Sequence, residues 1–252
     1  MINLRQIEYH VQNHPKLTRV YSKKLLYNNN KARLYCYSNL VFCWKNERTD
    51  YTKRLKSKTR RADSVERARE RIYDIVSANI NQHGDFPAVF ATFTFADNMQ
   101  KIRDANTCFR SFIRRLNRKI GYKIKYITVV EFQKRGAVHY HTIFYNLSFI
   151  DKFDFENLWG HGWTNIHSVK KIKNLGAYLA KYLTKETFDS RLYGEKTYFC
   201  SRGMYRSQEE FSPIAIEMIL CDYEISSTNA YKSKTIKIID YDKILLCKTS
   251  GR

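Results

Sequence analysis

Two runs rich in β-branched and aromatic residues, YKIKYITVVEF (122–132) and AVHYHTIFYNL (137–147), flank the four residues QKRG. Strand-forming composition on both sides of so short a connection, with Gly136 free to make the turn, predicts an antiparallel hairpin. A hairpin imposes period two. Residues i and i+2 share a face, so His139 and His141 point the same way and Tyr140 points to the other side. With the turn centred near residue 135, the pairing sets Glu131 opposite His139, their Cβ atoms about 5 Å apart. A slip of one residue would turn Glu131 away.

The segments around the hairpin predict an α+β fold. Ser64 can cap a helix in SVERARERIYDIVSANI, where Val65, Ala68, Ile72, Ile75 and Val76 form an apolar stripe. PAVFATFTF (87–95) is strand-like, and DANTCFRSFIRRLNRKIG (104–121) reads as a helix ending at Gly121. DKFDFENLWG predicts a short helix, WTNIHSV a strand, and KKIKNLGAYLAKYLTKETF (170–188) a long helix. Helices alternating with strands that include a hairpin point to a central antiparallel sheet of about five strands with flanking helices. Three regions are expected: a basic N-terminal extension (1–60), a main domain (61–205), and a C-terminal extension (206–252) packed on the same domain. In the first, RLYCYSNLVFCW (33–44) reads as a hairpin. TYFCSRGMY and SKTIKIIDYDKILL read as further strands.

Charge narrows the partners. The chain carries 45 Lys and Arg against 24 acids, a formal charge of +21, which is the footprint of a polyanion binder. Nucleic acid leads, since no stretch approaches the roughly 18 apolar residues of a spanning helix and the start lacks a signal-peptide core. A cytoplasmic location, without membrane association, is expected. The six cysteines, at 36, 43, 108, 200, 221 and 247, form no C-x-x-C pair and read as free thiols. Metal chemistry must therefore come from His and carboxylates.

Glu131, His139 and His141 offer one carboxylate and two imidazoles on one face. That donor set suits Mg²⁺ or Mn²⁺ used as a Lewis acid, and zinc also fits it. An isolated H-x-H is also an ordinary strand pair, so the assignment needs support from elsewhere. AYLAKYLTKE (177–186) supplies it: Tyr178 and Tyr182 stand four apart on a helix and share a face, and Lys181 and Lys185 repeat that offset. The same tyrosines also fit an apolar stripe with Leu175, Leu179 and Leu183.

In chain order, FATFTF, HYH and YLAKYLTKE resemble the three motifs of the HUH endonucleases, specifically the rolling-circle replication initiators of single-stranded DNA phages and bacterial plasmids. LWGHGWTNIH and YFCSRGMY are similar to segments of bacterial and phage members, so the resemblance spans roughly residues 60–205. It implies a five-stranded antiparallel, RRM-like sheet with the histidine strand at its centre and the tyrosine helix laid against a metal site. It also implies tyrosine attack on a phosphodiester, leaving a 5′-phosphotyrosine and a 3′-hydroxyl primer, with rejoining at termination. Tyr182 is the expected nucleophile and Tyr178 a second one. Lys181 and Lys185 would stabilise the phenolate, and Glu131, His139 and His141 would hold Mg²⁺ or Mn²⁺. His167 is the alternative third ligand, while His83 and His161 read as structural.

Arg114, Arg115, Arg118, Lys134, Arg135 and Arg202 are candidate DNA contacts. The implied partners are single-stranded or hairpin origin DNA and, because no G-x-x-x-x-G-K-[ST] occurs, a host helicase with the host DNA polymerase, all in a bacterial cytoplasm. Three rivals remain open: a tyrosine transposase or relaxase of the same superfamily, a non-catalytic nucleic-acid-binding module, and a nuclease in which Glu131 and the histidines activate water.

Overall fold

A computed structural model describes residues 17–44, 58–172, 174–184, 191, 195–232 and 236–244. The chain divides into two compact units, Met1–Leu55 with Ser207–Arg252, and Lys56–Arg206.

The Lys56–Arg206 unit is built on a five-stranded antiparallel sheet. Its strands are β3 (Val89–Thr94), β4 (Tyr126–Phe132), β5 (Val138–Phe144), β6 (Thr164–Ser168) and β7 (Tyr198–Cys200), in the spatial order β6-β3-β5-β4-β7. The histidine strand β5 is central. Four helices accompany it: α1 (Lys58–Asn79), α2 (Ile102–Ile120), α3 (Lys152–Trp159) and α4 (Leu175–Thr184). Alternation along each strand divides the core into two layers. On one face Phe109, Phe112 and Leu116 of α2, with Phe155 and Trp159 of α3, pack on Phe93, Val130, Tyr140 and Phe144. On the other, Ile72, Ile75 and Val76 of α1, with Leu175, Leu179 and Leu183 of α4, pack on Phe90, Ile127, Val129 and Ile143. Each such side chain contributes about 1.5–3 kcal/mol on burial.

Local chemistry fixes the ends of these elements. Gly121 closes α2 in the left-handed conformation (φ 82°), as its position after the apolar stripe predicts. α1 begins at Lys58, six residues before Ser64, so Ser64 lies inside the helix and does not start it. α4 begins at Leu175, later than the expected 170, because the Asn174 side chain accepts from Ala177 N at 2.9 Å and caps the helix there. The part of that expectation beyond Thr184 lies outside the described residues.

The unit formed by both ends of the chain is a second five-stranded antiparallel sheet. It contains β1 (Leu17–Tyr27), β2 (Lys31–Trp44), β8 (Gln208–Glu210), β9 (Tyr223–Lys232) and β10 (Ile236–Lys243), in the order β8-β1-β2-β10-β9. Helix α5 (Pro213–Leu220) brings Ile216 to a small core of Leu25, Ala32, Leu34 and Tyr223. The expected hairpin within 33–44 is instead one continuous strand, β2. Its turn lies earlier, where Asn28 Oδ1 accepts from the main-chain N of Asn30 and of Lys31, both at 3.0 Å. β1 pairs with β2, and β2 with β10, through a Cα register that sets Arg33 opposite Asp240. The Arg33 guanidinium donates twice to that carboxylate, at 2.6 and 3.0 Å.

Candidate metal and nucleophile site

The β4–β5 register pairs Glu131 with His139 and Val129 with His141, which is the register that a turn centred on residue 135 requires. Gly136 makes this turn at φ +90°, a conformation that disfavours other residues. Glu131 and His141 are buried and His139 is half-buried. One ligand atom from each of the three lies within 4.8 Å of the others. His141 Nε2 meets Glu131 Oε2 at 2.5 Å, and the two imidazole rings stand 4.7 Å apart, edge to face.

The adjacent strand braces the cluster. Its register sets Thr94 opposite His139 and Thr92 opposite His141, and Thr94 Oγ1 lies 3.0 Å from His139 Nε2. The Thr94 main chain is itself tied down: its N–H donates to Trp163 O at 2.9 Å and its carbonyl accepts from Trp159 Nε1 at 3.0 Å. Two residues on, Ala96 N donates to His161 O at 2.8 Å. Gly162 permits this approach. A Cβ there would lie 2.4 Å from Ala96 N and 2.6 Å from Thr94 O, and its φ is +140°.

Helix α4 lies over β4 and β5. It brings the Tyr182 ring parallel to the His141 ring, with centroids 3.5 Å apart and planes at 17°. Tyr182 Oη lies 3.5 Å from Tyr178 Oη, and Lys181 Nζ sits 3.8 Å above the Tyr178 ring and 4.9 Å from that of Tyr182. Phe90, fully buried beneath, touches His141, Tyr178 and Tyr182. Burial pushes the Tyr182 phenol above its usual pKa, reinforced by the Tyr178 hydroxyl and then by the Glu131 carboxylate.

The remaining expected residues are spread more widely. Lys185 lies outside the described residues. His167 is exposed on β6 and contacts Phe90, apart from the three clustered donors. His83 Nε2 meets Asn79 Oδ1 at 2.6 Å, with its pKa lowered by burial and then by Lys125. His161 packs on Trp159 and Phe95. Arg114, Arg115 and Arg118 ride on α2, across the sheet from the cluster. Arg115 is used internally, donating to the carbonyls of Leu158 and Trp159 at 2.9 and 3.1 Å, while Arg114 and Arg118 are exposed. Arg135 donates to the carbonyls of Phe95 and Ala96, and Lys134 and Arg202 are exposed. Thr94 and Phe90 were not singled out from the sequence, although FATFTF places both on the same side of one strand as Thr92.

The donor set fits a divalent cation. It offers one carboxylate and two imidazoles, without thiolates, on neighbouring positions of one sheet face, and these are the ligands Mg²⁺, Mn²⁺ or Zn²⁺ accept. Residues 88–187, which carry all three donors and both tyrosines, match the family model of the replication-associated proteins of the ORF2 type. No curated protein and no solved structure matches the chain. No described helix is long and apolar enough to cross a membrane.

Proposed function

We propose that this protein starts rolling-circle DNA replication by nicking single-stranded origin DNA through transesterification onto Tyr182. One observation carries the reading: the Tyr182 ring lies stacked on His141, inside a cluster of one carboxylate and two imidazoles, in the segment with the replication-associated match.

Glu131, His139 and His141 would hold a divalent cation, which when bound supplies Lewis acidity at the scissile phosphate. Tyr182 Oη bonds to phosphorus as the bond from phosphorus to the 3′ oxygen breaks. The phenol gives up one proton and the departing 3′ oxygen takes one up, so the exchange is proton-neutral. The products are a 5′-phosphotyrosine and a 3′-hydroxyl able to prime a polymerase. Because the phosphotyrosine keeps the ester bond, attack by a 3′-hydroxyl rejoins the strand by the same route reversed. Lys181 sets a positive charge over both tyrosine rings, and Tyr178, in reach of the Tyr182 hydroxyl, is placed to act as a second nucleophile. Unwinding and synthesis fall to a helicase and a polymerase of the host.

The test is incubation with Mn²⁺ and labelled single-stranded DNA carrying the cognate origin, read on a denaturing gel. Label migrating with the protein and lost in Tyr182→Phe is the expected result. Label that persists until Tyr178 is also changed assigns both tyrosines. Shortened DNA without attached protein would replace the tyrosine mechanism with attack by water.

A further inference from the structure

The sheet face that carries Glu131 is covered on one side only. Helix α4 lies over β4, β5 and Phe90, whereas toward β6 Thr92 and Thr94 are half-buried and Trp163, Asn165 and His167 are exposed, with no helix over them among the described residues. The register pairs Phe90 with His167 and Thr92 with Asn165, and Thr94 N donating to Trp163 O extends the same ladder. Directly opposed residues share a face, so Trp163, Asn165 and His167 stand on the side of Thr94, His139 and Glu131. Thr164, next in sequence to Trp163, is 1% exposed on the other side.

Trp163 is 57% exposed, although its main chain is firmly held. Gly162, which admits no Cβ, presses it against the end of β3, and the bond to Thr94 joins it to the residue that braces His139. Strands lie about 4.8 Å apart, so the Trp163 backbone is two strands, about 10 Å, from that of His139. A polynucleotide held at the cluster passes over this shelf. The shelf offers an indole, an amide and an imidazole, with Lys170 and Lys171 exposed just beyond β6 to meet phosphates. A flat aromatic ring fixed beside cations is the arrangement that stacks unpaired bases with little regard to their identity.

We infer that Trp163 is the stacking seat for an unpaired base of the DNA strand bound at the Glu131 cluster; the strand's position rests on the nicking reading above. The test uses the full chain, in chelator so that no strand is cut, titrated with short random-sequence single strands while intrinsic tryptophan emission and affinity are followed. Trp159 is fully buried, so an exposed stacked indole dominates the response. Binding quenches emission in the unsubstituted protein. Trp163→Phe keeps the affinity and loses most of the quench, and Trp163→Ala weakens binding by about tenfold, the worth of one stacked base. The inference is overturned if Trp163→Ala binds as tightly as the unsubstituted protein, if Trp163→Phe quenches undiminished, or if duplex of the same sequences quenches equally. Should Trp163→Ala not fold, the quench of Trp163→Phe decides alone. The nicking reading fails separately, by absence of a protein-linked label with Mn²⁺ and origin DNA, a result that leaves the emission readout standing.

Discussion

Thr94 shows how a single hydroxyl can govern a site. It holds His139 by one 3.0 Å contact and is itself anchored through its main chain to Trp159 and Trp163. Groups that orient a metal-binding imidazole typically change metal affinity by about 10–100-fold when removed. Thr94→Val is therefore expected to raise the Mn²⁺ concentration needed for half-maximal adduct by at least about tenfold. The maximal yield at saturating Mn²⁺ stays near that of the unsubstituted protein; an unchanged Mn²⁺ titration curve would show that the hydroxyl does not position the ring. Glu131, His139 and His141 were legible from sequence because period two and a short turn are local rules. Thr94 was not, since a threonine opposite a histidine acquires meaning only once the partner of β3 is known.

Among elements, the decisive contact is between two helices. A Cβ on Gly176 of α4 would lie 2.9 Å from Tyr73 Cδ2 and 3.0 Å from Tyr73 Cα, so α4 approaches α1 as closely as a glycine allows. Gly176→Ala is expected to push α4 outward, costing about 1–3 kcal/mol in denaturant unfolding. It should lower adduct yield more than stability alone requires, because Tyr182 moves off His141. A wild-type adduct rate in a destabilised variant would separate the helix position from the chemistry. Gly162→Ala meets backbone atoms at 2.4 and 2.6 Å, which cannot yield as a side chain does. It should cost about 3 kcal/mol or more, seen as a fall in thermal unfolding temperature. The apolar stripe of α1 and the Gly121 stop were readable from spacing. The start of α4 was misjudged because basic residues before Asn174 extend a helix-like pattern that the Asn174 cap cuts short. The run 33–44 was misjudged because Ser38-Asn39 resembles a turn, while the three asparagines at 28–30 make the real one.

At the scale of the molecule, charge and topology dominate. A net +21 predicts DNA binding driven largely by release of counterions. If about six phosphates are neutralised, affinity for a single strand falls on the order of 10²-fold between 50 and 200 mM salt. Fluorescence anisotropy across that range measures the slope, and a flat response would remove phosphate contacts as the main source of affinity. The α+β class followed from alternating helix and strand signals. The pairing of β2 with β10 did not, because nothing local in either strand names a partner some 200 residues away.

Arg33 and Asp240 are separated by 207 positions in the chain, yet they are cross-strand neighbours in one sheet. On a ribosome, β1 and β2 therefore emerge long before β10 exists, and a lone two-stranded hairpin is marginal in water. The residues between, 56–206, complete their own sheet first. Synthesis thus finishes the unit that holds the Glu131 cluster while the other still lacks three strands, and a chain broken off early would carry one assembled sheet beside two orphaned strands with open edges.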